Sequence, residues 1–153
     1  MQTPPASLSL ASTPTLVVHG PAELRRAIDA AATARLARLC LLSAPSAACF
    51  LGPAWWRALM ALGGDQARRC GLSLDDILDC GDAAGRALEA LRLGQRVLVL
   101  APSGQWQAVR DRADPLGAVL LPARPQALDL GAAGAERQLA AFLRPHDSQS
   151  PSG

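Results

Sequence analysis

Five short apolar runs, each closed by glycine, proline or serine and followed by residues of helical periodicity, constrain this chain more than any other feature. The runs are Thr15–His19, closed by Gly20-Pro21; Leu39–Leu42, closed by Ser43-Ala44-Pro45; Ile77–Cys80, closed by Gly81-Asp82; Arg96–Leu100, followed by Pro102-Ser103; and Ala118–Leu121, running into Pro122. Apolar runs without polar alternation suit strands buried on both faces, as in parallel sheets. The segments between them suit helices. Over 21–37, Leu24, Ile28, Ala31, Ala32 and Leu36 recur at helical spacing, with Pro21 placed for a first turn and Glu23 for its positive end. Pro53 opens a second helix through Leu62, and Ala87, Leu88 and Leu91 mark a third that Gly94 ends. Ser103 precedes a fourth over 104–112, broken by Asp114-Pro115, and a last helix spans 133–143. Gly63-Gly64 and Cys70-Gly71 predict a turn-rich connection over 63–75.

Strict alternation of strand and helix predicts an α/β fold: three layers, with a mainly parallel five-stranded sheet and helices on both faces. A flavodoxin-like order, 2-1-3-4-5, is the favoured topology. A half-barrel is the alternative, because periodicity does not report strand order. One domain over 15–144 is expected, between loose tails at 1–14 and 145–153 that lack apolar periodicity.

Composition closes several chemistries. All fifteen basic residues are arginine, so Schiff-base lysines and Walker-type phosphate lysines are excluded, as is the lysine that phosphoacceptor receiver domains use; tyrosine is absent as well. A net charge of +2, with no arginine run longer than two, lacks the basic footprint of a nucleic-acid binder. No apolar stretch approaches the roughly 20 residues that span a bilayer, and the start of the chain has no basic signal region, so a cytoplasmic address without membrane contact is expected. Cys40, Cys49, Cys70 and Cys80 form no C-x-x-C pair, and His19 and His146 do not cluster with them in sequence, so neither metal nor cofactor is expected.

Parallel sheets bind ligands outside the carboxyl ends of their strands, where helix N-termini present free N–H groups. That rule gathers His19, Gly20, Ser43, Asp79, Cys80, Asp82, Ser103 and Arg124 at one edge, suited to a small polar or anionic ligand. On the second helix, Trp55, Leu59 and Leu62 form one stripe, while Trp56 and Met60 form another about 100° round the axis. One stripe should face the sheet. The other suits a partner, and Trp55, Trp56 and Met60 are the candidate residues of a homo-oligomeric interface through this helix.

Cys80-Gly81-Asp82-Ala83-Ala84-Gly85-Arg86 has C-x5-R spacing between a strand and a helix, and it resembles the signature loop of cysteine-dependent phosphatases. The resemblance implies Cys80 as nucleophile and Arg86 as phosphate clamp. Asp114-Pro115 resembles the general-acid Asp-Pro of the low-molecular-weight members. Within the loop, Asp79 stands where the larger members commonly carry histidine, and Ala87 where a hydroxyl usually follows the arginine. The carboxylates of Asp79 and Asp82 oppose a thiolate and repel a dianion. The leading expectation is therefore a non-catalytic, oligomeric α/β module, with the phosphatase-like enzyme as the alternative.

Overall fold

The computed structural model describes residues 10 and 12–144. The expected loose tail at 145–153 lies outside them, as does most of that at 1–14. Six strands, β1 (Thr15–Val18), β2 (Arg38–Ser43), β3 (Ser73–Asp79), β4 (Val97–Val99), β5 (Val119–Leu121) and β6 (Leu128–Asp129), form one sheet. Six helices lie wholly within the described residues: α1 (Pro21–Thr33), α2 (Ala47–Phe50), α3 (Pro53–Arg69), α4 (Ala84–Arg92), α5 (Trp106–Ala113) and α6 (Ala135–Phe142). A 3-10 turn at Asp114–Leu116 follows α5. The chain folds as a parallel α/β protein, and every strand pair is parallel.

The strand order is β5-β4-β3-β2-β1-β6. Two expectations are corrected here. The sheet has six strands rather than five, because β6 is two residues long and below what an apolar run can signal. Its order is also not 2-1-3-4-5: β1 to β5 are laid down sequentially, as in the half-barrel alternative, and β6 then returns beside β1, pairing Leu16 with Leu128 and Val17 with Asp129. Right-handed crossovers in a sheet that grows in one direction place every connecting helix on the same face. Accordingly, Leu16, Val18, Leu39, Leu41, Leu78 and Leu98 share one core cluster with side chains from all six helices. Val17, Cys40, Leu42, Ile77, Val97 and Val99 point to the opposite face and form a second cluster, met there by Leu10, itself helical, and Ala127. Both faces are apolar, so the strands read as unbroken runs.

The second helix is longer than its sequence suggested. α3 passes straight through Gly63-Gly64 to Arg69, because Gly63 is where it crosses α1: a Cβ built on Gly63 would lie 2.9 Å from Leu24 Cδ1. The glycine serves close helix packing rather than a turn. In consequence β3 starts at Ser73, four residues before the apolar run, and takes Asp75 and Asp76 into the sheet. α1 stops early for the opposite reason. Ala34 caps it, Arg35 turns to a φ of 56°, and the Leu36 N–H returns to the Ala31 carbonyl.

The β5–β6 connection, Pro122–Ala127, crosses the whole sheet. Five strand spacings separate β5 from β6, about 24 Å in a flat sheet. The seven Cα steps from Leu121 to Leu128 reach about 23–25 Å when fully extended. Pro122 and Pro125 favour that extended form. The segment is a short strap that bends at Pro122 and Ala123.

Candidate functional site

Because each helix follows a strand, the C-terminal edge of the sheet collects the strand ends and the starts of the connecting helices. The structure brings Ser43, Asp79 and Arg124 together there. Ser43 ends β2 and Asp79 ends β3, both almost fully buried. Arg124 descends from the strap, donating from Nη1 to Asp79 Oδ2 at 2.6 Å and from Nη2 to the Ser43 carbonyl at 3.0 Å. Asp79 Oδ1 accepts the Gly81 N–H at 2.7 Å, and Ser43 Oγ accepts the Asp79 N–H at 2.9 Å. Both carboxylate oxygens and the serine hydroxyl are thus committed. Gly81 needs its positive φ of 58° here, and an added Cβ would strike Ser46 Oγ at 2.6 Å.

Cys80, Arg86 and Asp114 are not assembled. Cys80 is buried with its side chain in the helix-side core, and burial, reinforced by the Asp79 carboxylate, pushes its thiol up to about 12. Such a thiol is a poor nucleophile at neutral pH. Arg86 turns to Glu89 at 2.8 Å. Asp114 lies after α5 and before β5, at the edge opposite the one that Cys80 occupies, with Arg110 3.8 Å away. Asp82 is exposed and does not cap α4, whose N-cap is Ala83. Ser103, also exposed, accepts the Gln105 N–H at 3.3 Å.

His19 is drawn to the other end of the same edge. Its Nε2 lies 2.7 Å from Asp129 Oδ1, which also accepts the Gly131 N–H at 2.8 Å, and the His19 backbone N–H donates to the Glu23 carboxylate. The pair ties β1 to β6. Asp129 was beyond sequence reasoning, because nothing in a two-residue strand announces its neighbour.

The α3 interface needs a correction. Trp56 is fully buried and Met60 nearly so, both in the chain's own core, which removes them from any surface. Trp56 Nε1 donates to Asp76 Oδ2 at 2.8 Å; Gln95 Nε2 donates to the same oxygen at 2.8 Å, and Arg57 donates to Gln95 Oε1 at 3.0 Å. This network fixes the rotation of α3 about its axis. The acidic pair Asp75-Asp76 inside a strand was its only sequence signal.

With Trp56, Leu59, Met60 and Gly63 turned inward, α3 presents Ala54, Ala58, Ala61 and Leu62 outward. Leu62 is 55% exposed, and just ahead of the helix Phe50 is 81% and Leu51 50% exposed. Trp55 is half-buried at the margin of this surface, packed against the core. From Pro53 to Leu62 the sole charged residue is Arg57, partly exposed and hydrogen-bonded to Asp76 and Gln95. Farther along the same helix, Asp65, Arg68 and Arg69 are exposed, so the charge-poor surface is confined to its first ten residues.

Among the described residues no helix is long and apolar enough to cross a membrane. No protein-family model and no curated protein sequence matches the chain.

Proposed function

We propose that this chain is a non-catalytic, cytoplasmic α/β module that pairs with a second copy of itself through the outward face of α3 and the adjoining Phe50-Leu51. The observation that supports this reading is the group of exposed apolar side chains Phe50, Leu51 and Leu62 beside the alanines of the first ten residues of α3. Large exposed apolar side chains grouped on one surface favour a partner over solvent. A twofold pair is the commonest way a single chain covers such a face.

The strand-end edge enters as structure rather than as an anion seat. Arg124, the cation that would attract an anion there, is neutralised by Asp79, and the raised thiol of Cys80 weighs against the phosphatase-like alternative. Sedimentation equilibrium over 1–200 μM, on the order of a homodimer's working range, tests the reading. A concentration-dependent dimer that Leu62→Arg converts to monomer is expected. A wild-type chain that stays monomeric throughout overturns it.

A further inference from the structure

We infer that the segment Ala6–Ala11, ahead of β1, covers the sheet face opposite the six helices, with Leu8 and Leu10 as its anchors. The helices all pack on the other face, so Val17, Cys40, Leu42, Ile77, Val97 and Val99 need a different cover. They have one: none is more than 6% exposed, and Cys40 and Leu42 are 0% exposed. Register lines up Val17, Leu42 and Ile77 on neighbouring strands and Val97 with Val119 on the next two, a row about 19 Å wide. Among the described residues, the side chains that meet this cluster from off the sheet are Leu10 and Ala127. The strap keeps to the carboxyl end as far as Arg124, bonded to Asp79 and the Ser43 carbonyl, and descends only beyond it to Ala127 beside β1. Cys40, Ile77 and Val97 are thus left to Leu10 and its neighbours in sequence. A single leucine spans about one strand spacing of that row.

The path of the chain supplies the rest. The Pro14 carbonyl accepts the Cys40 N–H at 2.9 Å, so the chain ahead of β1 leaves the sheet next to Cys40. It turns at Ser12 and Thr13, which brings Leu10 back onto the face. From Leu10 back to Ala6 the chain reaches about 6 Å as a helix and about 13 Å extended, against about 10 Å from β2 to β4. Residues 1–14 contain no Asp, Glu, Lys or Arg, so laying them on apolar strands buries no charge. Leu8, Ala6 and Ala11 extend the apolar surface of Leu10 in both directions along the chain. This cover is independent of any contact through α3, which lies on the other side of the sheet.

Two buried thiols report the two faces separately, Cys40 beneath the segment and Cys80 in the helix-side core. Alkylation of the full chain with N-ethylmaleimide, read by peptide mass spectrometry, therefore tests the cover directly. Leu8→Asp should raise the Cys40 rate at least about tenfold with Cys80 unchanged, because it opens one face and not the fold. Leu10→Asp, at the residue seen on the face, should do the same and calibrates the effect. Leu8→Met, which keeps the apolar bulk, should protect Cys40 as the wild type does. Leu62→Arg, which tests pairing through α3, should leave the Cys40 rate where it was. If Leu10→Asp exposes Cys40 and Leu8→Asp does not, the cover ends at Leu10 and the inference is overturned. It is overturned equally if Cys40 and Cys80 accelerate together, since the fold as a whole has then loosened. Loss of Cys40 protection in the wild type on dilution from about 200 to 1 μM would assign the cover to a second copy instead.

Discussion

Arg124 and Asp79 lie 45 residues apart in sequence and 2.6 Å apart in space, and their pairing fastens the strap across the carboxyl ends of the strands. The Asp79 side chain is only 5% exposed and that of Arg124 27%, so removing the arginine leaves a nearly buried carboxylate without its counter-charge. Arg124→Ala should destabilise the fold by about 2–3 kcal/mol, less than a fully buried pair because water reaches the guanidinium. Urea denaturation followed by tryptophan fluorescence checks this. A loss below about 0.5 kcal/mol would mean that the clasp is ornamental.

The strap's length makes a second, purely geometric prediction. With about 24 Å to cross in a flat sheet and seven Cα steps to cross it, deletion of Gln126 should strain the reach of β6 to its register on β1. That deletion should abolish cooperative unfolding or strip β6 from the sheet. Inserting one glycine after Gln126 should cost no more than about 1 kcal/mol, since lengthening a loop adds little closure entropy. Circular dichroism melts of the two variants distinguish a taut strap from a slack one.

Most of this architecture was legible in the sequence because the strands are buried on both faces. Thr15–His19 and Leu39–Leu42 sit within a residue or so of β1 and β2, and helix starts at Pro21 and Pro53 were marked by proline. What failed had no local signal. Gly63-Gly64 reads as a turn until Leu24 is seen against it, and strand order depends on which way each crossover steps, which leaves connection lengths unchanged. The site divided the same way. Rules of topology put Ser43, Asp79 and Arg124 at one sheet edge, where the fold brings them into contact, yet nothing in the sequence says that the three satisfy one another. Trp55, Trp56 and Met60 were all offered to a partner because the two stripes of one helix could not both be assigned to the sheet, and their spacing did not say which one turned inward. Asp76 and Gln95 supplied the polar partners that let the tryptophan turn inward.

That network carries a third prediction. Asp76 accepts from Trp56 Nε1, Gln95 Nε2 and Arg57, and Gln95 is 1% exposed. Asp76→Ala would leave buried donors unpaired and should cost about 3 kcal/mol. Trp56→Phe keeps the ring but drops one donor and some volume, and should cost about 1–2 kcal/mol. A double-mutant cycle between the two should show coupling of at least about 0.5 kcal/mol, as expected for residues in direct contact.

Two thiols set the alkaline limit. Burial pushes Cys40 and Cys80 from 9.0 up to about 12 in the folded chain. Above about 9 the unfolded chain releases these protons while the folded chain keeps them, so the unfolded state binds fewer protons and stability falls as pH rises. The loss should run from pH 9 towards 12, at up to about 1.4 kcal/mol per pH unit for each thiol. Below pH 8 neither thiol contributes any slope. Denaturant midpoints measured from pH 7 to 10.5 should fall, and Cys80→Ala should flatten the curve even if it lowers the midpoint overall. In the same samples Cys70, exposed on the surface, should alkylate far faster than Cys40 or Cys80.

The last prediction separates association from folding. Phe50 is 81% exposed in the single chain, so it contributes little to holding that chain together. Phe50→Ser should therefore shift unfolding stability, measured at low micromolar concentration, by no more than about 0.5 kcal/mol. If the outward face of α3 is covered by a second copy, burying each ring contributes about 1–2 kcal/mol to the pair, and the substitution removes two of them. Dimer dissociation should then rise by well over tenfold, read by sedimentation equilibrium. The contrast with Asp76→Ala is what gives the measurement its force. That substitution lies behind α3 rather than on its outer face, so it should lower stability first and weaken pairing only as the helix loses its orientation.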